Sequence, residues 1–198
     1  VYVPDPSQTP RALQVVSPKG AVDTAAVAVD PSGVRYLAGS FRGTAVFGDV
    51  TLQAEGGDAF LTCLEANGSV RWARSFGGLG RDEATDVAIG PDGSIYLSGT
   101  FEGLVQVDGL PLISSGGADG FLIKLDPKGS LQWEQTVGGP GEDSGQSVTV
   151  ASDGSVRWVG NIGEEAVLNG SPLASSGTGD VFVAKLSHTG SVDWVQTA

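Results

Sequence analysis

Short runs of hydrophobic residues alternate with glycine-rich turns along most of the chain. Four segments in the middle have the length and composition of strands: ATDVAI (84–89), IYLSGTF (95–101), GFLIKL (120–125) and LQWEQTV (131–137). GPDGS (90–94) and DPKGS (126–130) lie between them, and Pro, Asp and Gly in this order favour tight turns. Because glycine interrupts every window that is long enough for a helical period, the pattern predicts an all-β chain.

A short hairpin is predicted between the second and third of these strands. The segment LVQVDGLPLI (104–113) places Asp108-Gly109 between two hydrophobic arms, and Asp-Gly is a favoured two-residue hairpin turn. The strands 95–101 and 120–125 carry apolar residues at consecutive positions, which indicates a sheet that is covered on both faces. Since one such sheet cannot bury both of its own faces, neighbouring sheets are expected to stack.

The same succession of strands and turns occurs three times along the chain. Five landmarks recur in register: Gly39, Gly99 and Gly160; Asp58, Asp119 and Asp180; Phe60, Phe121 and Phe182; Gly68, Gly129 and Gly190; Trp72, Trp133 and Trp194. Successive copies of each landmark are separated by 60 or 61 residues, and a fixed period of this kind is the signature of a repeat architecture. Four or five antiparallel strands per copy predict tandem blades, arranged as a β-propeller or as an open propeller-like arc.

The repeat divides the chain into four segments. Residues 1–16 match the tail of a preceding copy, while 17–78, 79–139 and 140–198 are three successive blades. Closed propellers have about four to eight blades, so we expect three blades to form an open arc with apolar end faces. The first residue is Val and not Met, and we interpret the chain as a fragment of a longer propeller. Association with further copies of itself and capping by another protein are the alternatives.

The charge of the chain restricts the partners that we expect. With 11 basic and 23 acidic residues, the formal net charge is −12, which opposes binding to nucleic acids and to anionic membranes. No hydrophobic run approaches the roughly 18 residues that a membrane-spanning helix needs. We therefore expect no nucleic-acid partner and no insertion into a membrane.

Candidate catalytic residues are few. His188 is the single histidine and Cys63 the single cysteine, so neither a His-based metal cluster nor a Ser-His-Asp triad is expected. Glu164-Glu165 and Glu142-Asp143 are adjacent acids that suggest the paired carboxylates of a glycosidase. Acids in the loops of an acidic surface are common, however, and we predict no catalytic and no cofactor-binding residue.

The glycine-rich joints between copies contain acidic residues that recur at the same position of the repeat. The joints GGLGRDEATD (77–86) and GGPGEDSG (138–145) carry Asp82 and Asp143 at equivalent positions. Clustered oxygen ligands suit Ca²⁺, but neither joint has the spacing of an EF-hand. A role in structuring the joint is the favoured interpretation, and Ca²⁺ is retained only as a weak candidate at these two residues.

Loops that differ between the copies are the expected binding surface, because loops held by a rigid frame commonly carry function. Six charged residues of these loops are the candidate contacts: Arg81, Glu83, Glu102, Glu142, Glu164 and Glu165. The recurrent tryptophans are expected to pack, and Trp158 is expected in the core because Leu37 and Leu97 occupy the same position in the other copies.

Several motifs recur in a fixed order in all three copies. GGDAFLTCL (56–64) is followed by Gly68, Trp72 and the first joint, and GFLIKLDPKGSLQW (120–133) is followed by the second joint. The third copy repeats the pattern through Lys185 and Trp194, whereas the first copy has Cys63 where the others have lysine. These motifs resemble the bacterial SBBP-type β-propeller repeat over essentially the whole chain. The resemblance implies a propeller fold and a secreted or bacterial cell-surface setting, but it does not imply a ligand.

The sequence therefore predicts a non-enzymatic extracellular or cell-surface scaffold, an interaction module built of propeller blades. Its expected partners are a protein, a glycan or further copies of itself. Two alternatives remain open. One is a structural subunit of a surface filament or assembly, and the other is a fragment of a propeller-type enzyme that acts on polysaccharides.

Overall fold

A computed structural model describes residues 20–175 and 179–198 and the backbone of residues 15–16. The described residues form antiparallel strands in three sheets. They contain no helix, and hence none that is long and apolar enough to cross a membrane. The all-β, antiparallel class predicted from the sequence is confirmed. A closed propeller is not formed by the described residues, whose three sheets are separate.

Each sheet takes its main strands from one copy of the repeat. The first sheet contains β1 (Val15–Val16), β2 (Val22–Val29), β3 (Arg35–Phe47), β4 (Val50–Leu64) and β5 (Val70–Phe76). The second contains β6 (Glu83–Ile89), β7 (Ile95–Val107), β8 (Leu110–Leu125) and β9 (Leu131–Gly138), and it is extended by β12 (Val167–Leu168) and β13 (Ser171–Pro172). The third contains β10 (Ser144–Val150), β11 (Val156–Ile162), β14 (Asp180–Leu186) and β15 (Val192–Thr197).

The predicted hairpin is part of a much longer one. The predicted strand 95–101 continues into the first hairpin arm as β7, with a change of register between Glu102 and Leu104. The second arm continues in the same way into β8. Asp108 and Gly109 have φ angles of 50° and 83°, as a turn with two left-handed residues requires. The second copy therefore has four strands of its own, because the hairpin adds length to two strands and no extra strand.

Short strands also connect neighbouring copies. In the third copy the hairpin β12–β13 pairs with the last strand of the second copy, where Val167 and Leu168 face Gly138 and Val137. This pairing enlarges the second sheet to six strands, beyond the four or five that the sequence predicts. β1 pairs in a comparable way with the outer part of β3. Residues 1–14, the rest of the predicted tail of a preceding copy, lie outside the described residues.

The core lies between the sheets. One cluster of buried side chains joins the first and second sheets and includes Leu61, Leu97 and Ile123. Another joins the second and third sheets and includes Leu122 and Trp158. Neighbouring residues of one strand, such as Leu122 and Ile123, therefore contribute to different clusters, which explains why the strands are apolar at consecutive positions. Trp158 is fully buried and its Nε1 donates to Ser98 Oγ at 2.9 Å, so the prediction of a core role is confirmed.

Gly99 stands where two strands and an aromatic ring converge. A Cβ atom at this position would lie 2.1 Å from the carbonyl oxygen of Glu83 and 2.4 Å from the ring of Phe121. The equivalent Gly39 and Gly160 are confined in the same way by the carbonyls of Asp23 and Ser144. Glycine recurs at this register because β2, β6 and β10 lie so close to their partners β3, β7 and β11 that no side chain fits between them.

Replacement of Gly99 by alanine is expected to lower the free energy of unfolding by about 3 kcal/mol, because the added methyl group overlaps backbone that cannot move aside. Chemical denaturation measures the loss. Gly141→Ala is the matched control, since the nearest heavy atom to its added Cβ is 3.5 Å away. Equal stabilities for the two variants would contradict the close crossing.

Candidate functional site at the joints between repeats

Asp82 connects three segments at the first joint. Its Oδ2 accepts a hydrogen bond from the backbone N–H of Gly78 at 2.9 Å, and its Oδ1 accepts one from Glu102 at 3.1 Å. Its own N–H donates to the carbonyl of Gly57 at 2.6 Å. The side chain is buried, with 1% of its surface exposed. One carboxylate thus holds together the joint, the edge of β7 and the first sheet.

Asp143 repeats this arrangement at the second joint. Its two oxygens accept the N–H groups of Gly139 at 2.9 Å and Gly163 at 2.8 Å, and its N–H donates to Ala118 at 2.7 Å. Each partner stands 61 residues after the corresponding partner of Asp82. The two aspartates are therefore equivalent parts of one repeated structural unit.

The geometry at these residues favours a structural role over calcium binding. Both oxygens of Asp82 and of Asp143 already accept backbone N–H groups. Among the residues that the structure describes, no three side chains of Asp, Glu, His or Cys come together as a metal site. Because Ca²⁺ takes six to eight oxygen ligands, these two carboxylates by themselves do not fit it, and calcium stays a weak prediction.

A second aspartate is buried beside each joint. Asp58 and Asp119 are 6% and 2% exposed, and Asp119 accepts the N–H of Ser115 at 3.0 Å. The Oδ1 atom of each has no hydrogen-bond partner. A Cβ atom at Gly77 or Gly138 would overlap the carboxyl group of Asp58 or Asp119, so glycine at the start of each joint makes room for the acid.

Burial of these acids changes their affinity for protons. Removal from water raises the pKa of Asp58, Asp82 and Asp119 to about 6 and also raises the pKa of Asp143. The negative charge of Asp58 adds to the raised pKa of Asp82, and that of Asp143 adds to the raised pKa of Asp119. Hydrogen bonds from backbone N–H groups lower the pKa of Asp82 and Asp119, in opposition to the effect of burial.

Two equivalent grooves open at the surface of the joints. The first joint groove has a volume of about 590 Å³ and is lined by Glu55, Gly77, Gly78, Leu79, Gly80, Glu102, Gly103, Leu104 and Gln106. The second joint groove has a volume of about 550 Å³ and is lined by Pro140, Gly141, Glu142, Gly163, Glu164 and Gly179. Each groove has two glutamates and no Lys or Arg among its described lining residues.

The predicted binding residues divide between these grooves and their surroundings. Glu102 lines the first joint groove, and Glu142 and Glu164 line the second. Arg81 and Glu83 form an exposed ion pair at 2.7 Å and line a separate cavity of about 270 Å³ beside Asp82. Glu165 is exposed next to the second joint groove but does not line it.

Two residues of the first joint groove, Glu55 and Leu79, are not predicted from the sequence, and a third, Leu104, follows the predicted contact Glu102. Glu55 is exposed in β4, and Leu79 and Leu104 are 85% and 52% exposed. A leucine within a run of joint glycines and a leucine next to the Gly103 bulge are the signals that mark them. Leu79 lies outside the strands, while Leu104 lies in β7 beside its change of register, and both side chains are exposed and not part of the core clusters.

His188 and Cys63 do not line either joint groove. Cys63 is a buried free thiol whose pKa is raised by burial. His188 is exposed in its turn, and its backbone carbonyl accepts hydrogen bonds from Trp133 and Lys124, each at 3.1 Å.

Replacement of Asp82 by alanine is expected to reduce the free energy of unfolding by about 2–4 kcal/mol, because two backbone N–H groups lose their acceptor at a buried joint. Denaturant unfolding at pH 7 measures the effect. Asp23→Ala, at an exposed aspartate near the same joint, is the control and should change stability by less than about 0.5 kcal/mol. Similar losses in both variants would show that Asp82 does not hold the joint.

The protein is expected to become more stable as the pH falls from 7 towards 5. The folded pKa values of Asp58, Asp82 and Asp119 are about 6, above the ordinary 3.8, so the folded state takes up protons first. The stability that protonation of these three acids gives the folded state is fully present below pH 3.8, and it is lost as the pH rises through about 6. Acids with a lowered pKa, such as Asp30 and Asp92, reverse the trend at more acidic pH.

Thermal unfolding followed by circular dichroism between pH 4 and pH 8 measures this dependence. A double variant, Asp58→Asn with Asp119→Asn, carries neutral side chains at every pH and should show a flatter profile with a higher Tm at pH 7. A wild-type Tm that rises steadily from pH 5 to pH 7 would be incompatible with buried acids of raised pKa.

Comparison with known proteins gives no family for the chain. No family model matches it, and the resemblance to the SBBP-type repeat stays a prediction. Over 137 residues, or 67% of the chain, it is 29% identical to the Regulatory protein FlaEY of Caulobacter vibrioides, of whose length it spans only 14%. The crystal structure of a protein of unknown function from Bacteroides caccae aligns over 89% of this chain and 82% of its own, with 10% identity and a TM-score of 0.30. A score this low carries no argument about fold or function.

Proposed function

We propose that this chain is a non-enzymatic interaction scaffold of propeller-type blades, which binds a partner protein at its joint grooves outside the cell or at a bacterial surface. The observation that supports the proposal is the equivalence of the two grooves. Both lie at the same position of the repeat and have similar volumes of about 590 and 550 Å³. Each is lined by two glutamates, which stand at different positions of the repeat in the two grooves. Regularly spaced grooves of this kind suit an extended partner segment that contacts successive joints.

The walls of the grooves are held by buried interactions. Asp82 fixes the backbone of Gly78 and Glu102 on the two sides of the first joint groove. At the second, Asp143 fixes the backbone of the lining residue Gly163 and of Gly139, which directly precedes the lining residue Pro140. Binding by such pre-formed surfaces costs less conformational entropy than binding by loops that order only in the complex.

The charge of the grooves indicates the chemistry of the partner. Glu55 and Glu102 line the first joint groove, and Glu142 and Glu164 line the second. The whole chain has a net charge of −12. A segment rich in Lys or Arg is complementary to this surface. The exposed Leu79 and Leu104 add apolar contact for the aliphatic part of such side chains.

The propeller-type arrangement belongs to the same proposal. Three antiparallel sheets follow one another at a period of about 60 residues, and neighbouring sheets bury their facing sides against each other. Blades of a propeller pack in this manner. In a longer array, every added joint would supply one more groove of the same design.

Binding of an array of extended Lys- and Arg-containing peptides tests the proposal, followed by calorimetry with the best peptide. A variant with Glu55, Glu102, Glu142 and Glu164 replaced by Gln is expected to raise Kd roughly tenfold or more, since each charge contributes up to about 1 kcal/mol. The control variant, Asp23→Asn with Asp49→Asn, removes charge from exposed positions that do not line either joint groove. Binding should also weaken with salt.

Two outcomes would contradict this function. Absence of binding to any peptide would contradict a basic partner. The control removes two charges where the groove variant removes four, so a loss of binding free energy about half as large in the control would show attraction to net charge alone. The alternative function is an enzyme that acts on polysaccharides, and the placement of Glu142 and Glu164 on one groove favours it. A glycan array measured in parallel distinguishes this enzyme from the scaffold. Glycan hydrolysis that is lost in Glu142→Gln would support that enzyme and not the scaffold.

A further inference from the structure

The long hairpin of the second copy carries an apolar pair on its outer face. Leu104 in β7 lies directly opposite Ile113 in β8, and the two side chains are 52% and 70% exposed. Directly opposed residues of antiparallel strands point to the same side of the sheet, with Cβ atoms about 5 Å apart. The next pair, Val105 and Leu112, points to the other side and is buried. The hairpin therefore has one apolar face in the core and a second apolar pair at the surface.

The other two copies have different residues at this position. In the first copy the pair is Thr44 and Gln53, and the hydroxyl of Thr44 donates to Oε1 of Gln53 at 2.9 Å. In the third copy the equivalent residues are Glu165 and Ala174. Since a polar pair is compatible with the same hairpin, the fold does not require an exposed leucine and isoleucine in the second copy.

Leu79 extends the apolar surface into the first joint groove. It is 85% exposed and lines the groove together with Leu104. The preceding glycine brings the joint against the hairpin, because a Cβ atom at Gly78 would lie 2.1 Å from the carbonyl oxygen of Leu104. The second joint has Pro140 in place of Leu79. Together, Leu79, Leu104 and Ile113 form the anchor patch.

The anchor patch belongs to the middle one of the three sheets. Strands β7 and β8 contribute to the core cluster shared with the first sheet and to the one shared with the third. The patch is thus exposed although the sheets on both sides of its own sheet are present.

Both sheets that border the patch carry a glutamate in the same groove. Glu55 of the first sheet and Glu102 of the second line it together with the two leucines. Glu55 stands next to Gly56, where a Cβ atom would lie 2.6 Å from the carbonyl oxygen of Leu79. A ligand in this groove therefore meets carboxylates, which attract Lys and Arg, and apolar side chains, which favour an apolar group that is removed from water.

We propose that the first joint groove binds a partner segment in which a large aliphatic or aromatic side chain, flanked by Lys or Arg, covers Leu79, Leu104 and Ile113. The inference rests on the proposed function and adds the residue type that this groove selects. Buried apolar anchors commonly supply most of the affinity of such contacts, while the surrounding charges set specificity. Leucine is not among the described lining residues of the second joint groove, so the partner is placed with its anchor at the first joint.

Calorimetry with two synthetic peptides tests the anchor. One peptide has a single leucine between lysines in an otherwise polar, extended sequence, and the other has serine in place of this leucine and the same charge. The wild-type chain is expected to bind the leucine peptide about tenfold more tightly than the serine peptide, because burial of a leucine side chain contributes at least this much.

The double variant Leu104→Thr with Ile113→Gln transfers the polar pair of the first copy to the second. Because this pair occurs in the equivalent hairpin of the same chain, the circular dichroism of the variant should match that of the wild type. The variant is expected to bind the leucine peptide about tenfold more weakly and the serine peptide with unchanged Kd. Leu110→Thr is the control: Leu110 is 38% exposed and lies opposite the buried Val107, on the other side of the hairpin. It should bind both peptides like the wild type.

The outcomes distinguish the anchor from the proposed function. Equal affinity of the wild type for the two peptides, or a Kd for the leucine peptide that the double variant leaves unchanged, would overturn the anchor and leave the basic partner in place. Equal weakening of both peptides in the double variant would also overturn it, because the loss would not depend on the leucine. Failure of the wild type to bind either peptide would overturn the proposed function and the anchor with it.

Discussion

Burial of apolar sheet faces against neighbouring sheets is the constraint on which the rest of this structure depends. The strands are apolar at consecutive positions, and Leu122 and Ile123 contribute to core clusters on opposite sides of one sheet. A sheet of this composition is stable only between two neighbours. The stacking of the three sheets in chain order follows from that requirement.

The joints between stacked sheets bury carboxylates, and hydrogen bonds at the joints offset the free-energy cost of that burial. A buried carboxylate is unfavourable unless hydrogen bonds stabilise it, and Asp82 and Asp143 each receive two backbone N–H groups from opposite sides of a joint. Asp58 and Asp119 are less well satisfied, because one oxygen of each has no partner. The same residues therefore position the joint grooves and make the stability of the protein sensitive to pH.

Surfaces for partners remain where the repeat is interrupted. Both joint grooves combine glycine backbone with glutamates, and the first groove also has the exposed Leu79 and Leu104. The grooves lie at the same place in the repeat but differ in their lining side chains.

The sequence by itself determined the all-β class, the period, the core role of Trp158 and the shared function of Asp82 and Asp143, because these depend on local turn chemistry and on residue types that recur in register. It did not determine that two strands of the second copy each merge with a hairpin arm, or that β12 and β13 join the sheet of the preceding copy. Such pairings depend on backbone register across a joint, which no periodic pattern specifies. Only the tertiary structure brought Glu55 and Leu79 to the groove of Glu102, since residues distant along the chain meet there only when two sheets have stacked.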